Sequence, residues 1–216
     1  LPSPIGEYLG GFAKRTEPCK GVYDDLMVKT FALNDGEKTY LIISLDVVCL
    51  YPALADDIRQ MISTSFGIEP VNVLLAASHT HSGPEIRTGL KRLPGFLSCT
   101  PRYVSQTKEC ILESIKAALA DLEECRLFYG VGQSHIGINR RLPENGKNLF
   151  KPNHQGPIDE NVPVIKVEGE DGKPRAVLFS YACHPSAMAS DFATADYVGA
   201  AYGLVEEALG VPALFL

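Results

Sequence analysis

The chain has 216 residues, of which 45% are hydrophobic and 21% charged, a balance that fits a globular domain with a sizeable core. A net charge of −6 and a pI near 5.4, with no basic stripe, argue against a nucleic-acid partner. No apolar run reaches the roughly 18 residues of a membrane span.

Residues 1–20 carry Gly6, Gly10, Gly11, Pro2, Pro4 and Pro18 and read as loop. Asp25 to Leu33 is strand-like, Asn34-Asp35-Gly36 is a hairpin turn, and Thr39 to Val48 is the return strand, apolar except at Ser44 and Asp46. Pro52 opens a helix with Leu54, Ile58, Ile62 and Ser65 on one face and Gly67 as its cap. Val71 to Ala77 is a further apolar, β-branched run that predicts a buried strand. It stops at Ser78-His79-Thr80-His81, and Gly83-Pro84 makes a turn. On an extended chain two imidazoles one residue apart project to the same side.

A long loop is expected over 84–100, followed by a helix opened by Thr100-Pro101. Val104, Ile111, Ile115, Ala118, Leu119 and Leu122 form its apolar face. Arg126 to Val131 and Ser134 to Asn139 read as short strands, and 141–161 as a second long loop. Val162 to Val167 and Arg175 to Cys183, joined at Asp171-Gly172, predict a hairpin ended by His184. A helix from about Tyr197 to Leu209 stops at Gly210, and the apolar run from Val211 to Leu216 reads as the start of another strand. The expectation is a single α/β domain over 1–216, with a mixed sheet and flanking helices, forming the N-terminal portion of a larger catalytic domain. No signal sequence is visible. The six cysteines form no CxxC pair and are expected as free thiols, which leans towards a cytoplasmic setting.

Three apolar strands end on chemistry: Asp46 after the first, His79 and His81 after the second, His184 after the third. If these strands are parallel neighbours, a carboxylate and three imidazoles meet at one sheet edge, where ligands bind in open α/β sheets. That is the composition of a zinc site, in which imidazoles ligate at about 2.0–2.1 Å and a carboxylate ligates or orients a histidine. Asp191 and Asp196 could serve the same purpose, or cap the following helix.

The chain resembles the neutral, non-lysosomal ceramidases and their bacterial relatives. The resemblance rests on His79-Thr80-His81-Ser82-Gly83-Pro84 after Asn72-Val73-Leu74-Leu75, on Gly137-Ile138-Asn139-Arg140, and on His184 after the later strand. It spans nearly the whole chain and corresponds to the N-terminal part of the family's catalytic domain. It implies that His79 and His184 bind a catalytic Zn2+, with His81 and Arg140 contacting the substrate beside it. The family completes the zinc shell with a glutamate and a tyrosine from further along the chain than residue 216. The implied activity is hydrolysis of an N-acyl amide linkage, ceramide-like, on a lipid or small-molecule amide, and the resemblance allows a secreted protein.

Two other functions fit a His-x-His at a strand end. A binuclear metallophosphoesterase would add an Asp-x-His and an Asn-His pair, of which the sequence lacks the Asp-x-His, and a barrel amidohydrolase would need a (β/α)8 fold longer than this chain. A non-catalytic binding fragment with an incomplete metal site is the remaining alternative.

Overall fold

Backbone hydrogen bonding and the turn residues set the elements in a computed structural model that describes residues 1–87 and 98–216. In chain order these are β1 (Gly21–Val22), β2 (Val28–Asn34), β3 (Thr39–Leu45), α1 (Pro52–Phe66), β4 (Val73–Ala77), α2 (Pro101–Ala120), β5 (Cys125–Gln133), β6 (Leu142–Glu144), β7 (Lys147–Leu149), β8 (Asn161–Gly169), β9 (Pro174–Phe179), β10 (Phe192–Ala193), α3 (Asp196–Leu209) and β11 (Ala213–Phe215).

Local chemistry accounts for most boundaries. The β2–β3 turn closes because Asp35 Oδ1 accepts from Lys38 N (2.7 Å) and Asn34 Oδ1 from Gly36 N (2.8 Å), with Gly36 at φ 93°. Pro52 starts α1 where no amide donor is needed, and left-handed Gly67 ends it by donating to Ser63 O. Thr100 caps α2 by accepting from Tyr103 N (3.2 Å), while its own hydroxyl donates to Glu7 (2.6 Å). Gly210 closes α3 in the same left-handed way as Gly67.

Two sheets result. The first has the order β2-β3-β4, antiparallel then parallel; the second has the order β11-β9-β8-β5, parallel at β11–β9 and antiparallel elsewhere. Strand alternation then sorts the side chains into layers. Leu41, Ile43 and Leu45 of β3 pack with Leu54, Ile58 and Ile62 of α1 and Ile111 and Ile115 of α2. The opposite face of β3, through Ile42, meets Leu178 and Leu214 of the second sheet. Beyond that sheet, Val177, Ala213 and Phe215 pack with Val198 and Tyr202 of α3. The order of layers is helices, sheet, sheet, helix, so the expected α/β arrangement of mixed sheets with flanking helices is present.

Five expectations change. The strand predicted for Arg126 to Val131 is a nine-residue β5, and Ser134 to Asn139 forms no strand, only an isolated bridge from Asn139 to Asn153. The loop predicted for 141–161 contains the β6–β7 hairpin, turned by Asn145 and Gly146 at positive φ. Strand β9 stops at Phe179, short of Cys183. It lies in the second sheet, so β3, β4 and β9 are not three parallel neighbours. Both edges of β9 are taken there: β8 pairs with it antiparallel and β11 parallel, with Val177 N donating to Pro212 O (3.0 Å). Of the loop expected over 84–100, the part 88–97 lies outside the described residues.

Candidate metal centre

Strands β3 and β4 run parallel with Leu45 opposite Ala77, so they leave the first sheet side by side. The chain after β4 stays tied to the chain after β3: Ser78 N donates to Leu45 O (2.9 Å) and His79 N to Val47 O (3.1 Å). His79 pays no attention to strand alternation, because it turns left-handed at φ 63°, a conformation that costs a non-glycine residue about 1–3 kcal/mol. The convergence of His79 and His81, at 5.1 Å between ring centroids, is therefore made by a loop rather than by an extended strand. Gly83 is required there, since a Cβ would lie 2.5 Å from Asp46 O.

His184 arrives from the second sheet, beyond the end of β9. Its approach is pinned by Tyr197, whose hydroxyl donates to Cys183 O (2.8 Å), and by Tyr181, which donates to Ser134 O (3.0 Å). The loop after it is joined to the His-x-His loop along its length. His81 N donates to Pro185 O (3.0 Å), Ser82 Oγ to Met188 O (2.8 Å), and Thr80 Oγ1 to Thr194 O (2.7 Å).

The three imidazoles come together. Each offers a ring nitrogen, and these nitrogens lie within 4.8 Å of one another. His79 Nδ1 is 2.5 Å from Val48 O. A carbonyl oxygen has no proton to give, so Nδ1 is the donor and Nε2 keeps its lone pair, the tautomer in which metal-binding histidines are usually held. His81 Nε2 and His184 Nε2 face each other at 2.6 Å, and the buried Nδ1 of His81 has no partner. Burial, with His184, His79 and Arg15 nearby, lowers the His81 value to about 4. Burial, His79 and Arg141 also lower that of His184. Both rings are neutral near pH 7, the form that ligates a cation. The donor set fits zinc, which favours imidazole nitrogen and needs three or four ligands.

The cluster sits at one end of a cleft of about 360 Å³, walled by Tyr8, Phe12, Val48, Tyr51 and the backbone of Gly10 and Gly11. Gly11, at φ 91°, presses against His81 so closely that a Cβ would lie 2.4 Å from its Cγ. Glu85 and Arg87, paired at 2.7 Å, also line the cleft. These residues carried no recognisable signal in the sequence, where the glycines marked only a loop and the charged pair fell inside another.

The other candidates lie elsewhere. Asp46 is buried and accepts from Met27 N (2.8 Å) and Tyr202 Oη (3.0 Å), as a strand-end cap does. Asp191 pairs with Lys20 (2.9 Å). Asp196 accepts from Met188 N (2.9 Å) and Tyr197 N (2.7 Å) at the start of α3. Arg140 is exposed, stacks 4.8 Å from the Phe150 ring centroid, and is not among the residues lining the cleft. Its neighbour Arg141 is the arginine whose charge reaches His184. An Asn-His pair of the phosphoesterase kind does occur, as Asn153-His154, but Asn153 is committed to Arg141 O (2.9 Å) and His154 is not part of the cluster. All six cysteines are free, and among the described residues no helix is long and apolar enough to cross a membrane.

Residues 4–213 match the family described as neutral/alkaline non-lysosomal ceramidase, N-terminal. Neutral ceramidase B of Dictyostelium discoideum is 22% identical over 195 residues, covering 83% of this chain and 26% of that protein. Neutral ceramidase of Pseudomonas aeruginosa is 22% identical over 187 residues, covering 82% and 28%. The crystal structure of the Pseudomonas aeruginosa enzyme superposes with a TM-score of 0.79 at 20% identity, over 98% of this chain and 36% of that one. A ceramidase structure described as complexed with C2 gives 0.80 at 20% identity. The chain thus has the fold of these proteins and spans about a quarter of the length of the relatives it matches.

Proposed function

Because the chain belongs to the neutral/alkaline non-lysosomal ceramidase family, we propose that it forms the N-terminal part of the catalytic domain of a zinc-dependent hydrolase acting on N-acyl amide linkages, ceramide-like in the first instance. The observation that carries this reading is the meeting of three imidazole nitrogens, from loops that follow two different sheets, within 4.8 Å.

His79 and His184 are assigned as the zinc ligands. Zinc, when bound, supplies a polarised carbonyl and a bound water acidic enough to ionise near pH 7. The hydrogen bond from His79 Nδ1 to Val48 O holds its ring in the orientation that presents Nε2. The bonds on either side of His184, to Cys183 O and Pro185 O, fix its backbone opposite. His81, beside both, is assigned to take a proton from the attacking water and return it to the departing nitrogen, and in its protonated form to hydrogen-bond the acyl oxygen as that oxygen gains charge. Arg140 is assigned to orient a substrate oxygen from the exposed loop, a role that keeps it protonated throughout. The cleft, with Tyr8, Phe12 and Tyr51 in its walls, admits the polar end of the amide.

The test uses the full-length protein and the variants His79→Ala, His81→Ala and Arg140→Ala, with zinc measured by elemental analysis and turnover on a short-chain N-acyl sphingoid amide. His79→Ala is expected to lose both zinc and turnover. His81→Ala should keep zinc and lose turnover by about 10²-fold or more, and Arg140→Ala should raise KM with zinc unchanged. Full zinc occupancy in His79→Ala overturns the ligand assignment. Two metals per chain with phosphodiester cleavage would replace it with the phosphoesterase reading.

A further inference from the structure

Arg15 is a cation from a loop without regular structure, and its side chain is only 5% exposed. Such burial is costly unless each donor finds an acceptor. Its Nη1 donates to Gly10 O (2.6 Å) and His81 O (2.9 Å). Its Nη2 donates to Ser190 O (2.6 Å) and approaches Ser82 Oγ (3.5 Å), while Nε lies 4.0 Å from Asp191. Phe12 closes the arrangement, with its ring 5.1 Å from the guanidinium carbon and 5.1 Å, edge to face, from the His81 ring.

Those acceptors belong to three separate loops. Gly10 lies in the loop that walls the cleft, His81 and Ser82 follow the first sheet, and Ser190 follows His184 out of the second sheet. One guanidinium joins all three at the place where the two histidine-bearing segments meet. The geometry points to Arg15 as the positioning residue that sets the separation of His81 and His184. The planar fork is what the task requires: two terminal nitrogens reach carbonyls on opposite sides at once, whereas a lysine ammonium is a single point. The exposed Lys20, also paired with Asp191, holds only the rim of the same loop.

Two readouts separate this role from a general contribution to stability; only the second rests on the zinc reading. The variants are Arg15→Met and Arg15→Lys, with Ser44→Ala as a control that loses a buried hydrogen bond to Phe215 O (2.6 Å) between the sheets, away from the cleft. First, imidazole ¹⁵N resonances are recorded on the metal-free protein. Arg15→Met should shift His81 and His184 while leaving exposed His135 and His154 in place, and Arg15→Lys should recover part of the wild-type pattern. Second, zinc titration should show affinity weakened about 10–100-fold in Arg15→Met, the range for groups that orient a metal ligand, and unchanged in Ser44→Ala. If Arg15→Met does not fold, Arg15→Lys is read against Ser44→Ala alone. Wild-type positions for His81 and His184 in the arginine variants, or zinc affinity lowered equally in the Ser44→Ala control, overturn the inference. Absence of zinc binding by the wild type would sink the zinc reading instead, leaving the resonances to decide on Arg15.

Discussion

Asp46 ends β3 with its side chain buried at 3% exposure, and burial drives its carboxyl above the ordinary range despite hydrogen bonds from Met27 N and Tyr202 Oη. A carboxyl whose folded value is raised stabilises the fold fully at pH below its unfolded value, near 4, and loses that contribution as pH climbs through the folded value. Asp46→Asn keeps an acceptor for both donors and removes the titration. Denaturant unfolding across pH 4–7 is expected to show the asparagine variant gaining on the wild type as pH rises; a gap that is flat in pH contradicts the linkage. Asp46→Ala instead orphans both donors, at about 1–3 kcal/mol for each buried group. His79 poses the opposite case at the same scale. Its positive φ is strain held by the bonds to Val47 O and Val48 O, and nothing in a run of residues ending Ala77-Ser78-His79 announces a left-handed histidine.

At the scale of elements, the segment from Ser180 to His184 belongs to no strand and depends on side chains of its neighbours. Tyr197→Phe removes the hydroxyl bonded to Cys183 O and keeps the ring against Phe215 and Tyr181. The expected result is a loss of about 0.5–1.5 kcal/mol in unfolding free energy, with a larger proportional effect on zinc affinity than on stability. Equal effects on both would mean that Tyr197 supports α3 packing and nothing more. Strand β5 presents a different hazard. All nine of its residues are exposed, one edge pairs with β8, and among the described residues no strand covers the other. Leu127, Tyr129 and Val131 make that edge a template for further pairing. Val131→Lys should therefore reduce concentration-dependent self-association of this chain in sedimentation velocity, with little change in its unfolding midpoint. These elements also show what a sequence can carry. Pro52, Gly67, Thr100 and Gly210 marked their helices because capping is local chemistry, and Asn34-Asp35-Gly36 marked its hairpin for the same reason. Of the two neighbours of β9, the hairpin partner β8 was legible from the turn at Asp171-Gly172, whereas β11 was not, because it comes from far along the chain. Arg15 was hidden for a related reason: its acceptors are backbone carbonyls, which every residue possesses.

At the scale of the whole molecule, the candidate centre lies across the junction of two cores. His79 and His81 follow a strand packed against α1 and α2, while the loop around His184 shares Tyr181, Ala193 and Ala195 with the core under α3. A cation held by both segments is a cross-link between halves that otherwise meet through apolar packing around Leu178 and Leu214 and a few polar contacts such as Lys29 to Ala213 O (2.9 Å). Binding to the folded state alone stabilises it by about 2.7 kcal/mol when free zinc is 100 times Kd. For a chain of this size each kcal/mol raises Tm by about 2–4 °C, so scanning calorimetry should show a clear zinc-dependent rise in the wild type. Both His79→Ala and His184→Ala should abolish that rise. The metal-free midpoint of His184→Ala should stay near the wild-type value, because that residue is exposed and its removal leaves no cavity, whereas that of His79→Ala should fall with the loss of the bond to Val48 O. A rise that survives in His184→Ala but not in His79→Ala would confine the ion to the first sheet. The joining of the halves would then rest on apolar packing and on hydrogen bonds such as those of Thr80, Ser82 and Arg15, and the second sheet would have no part in holding the metal.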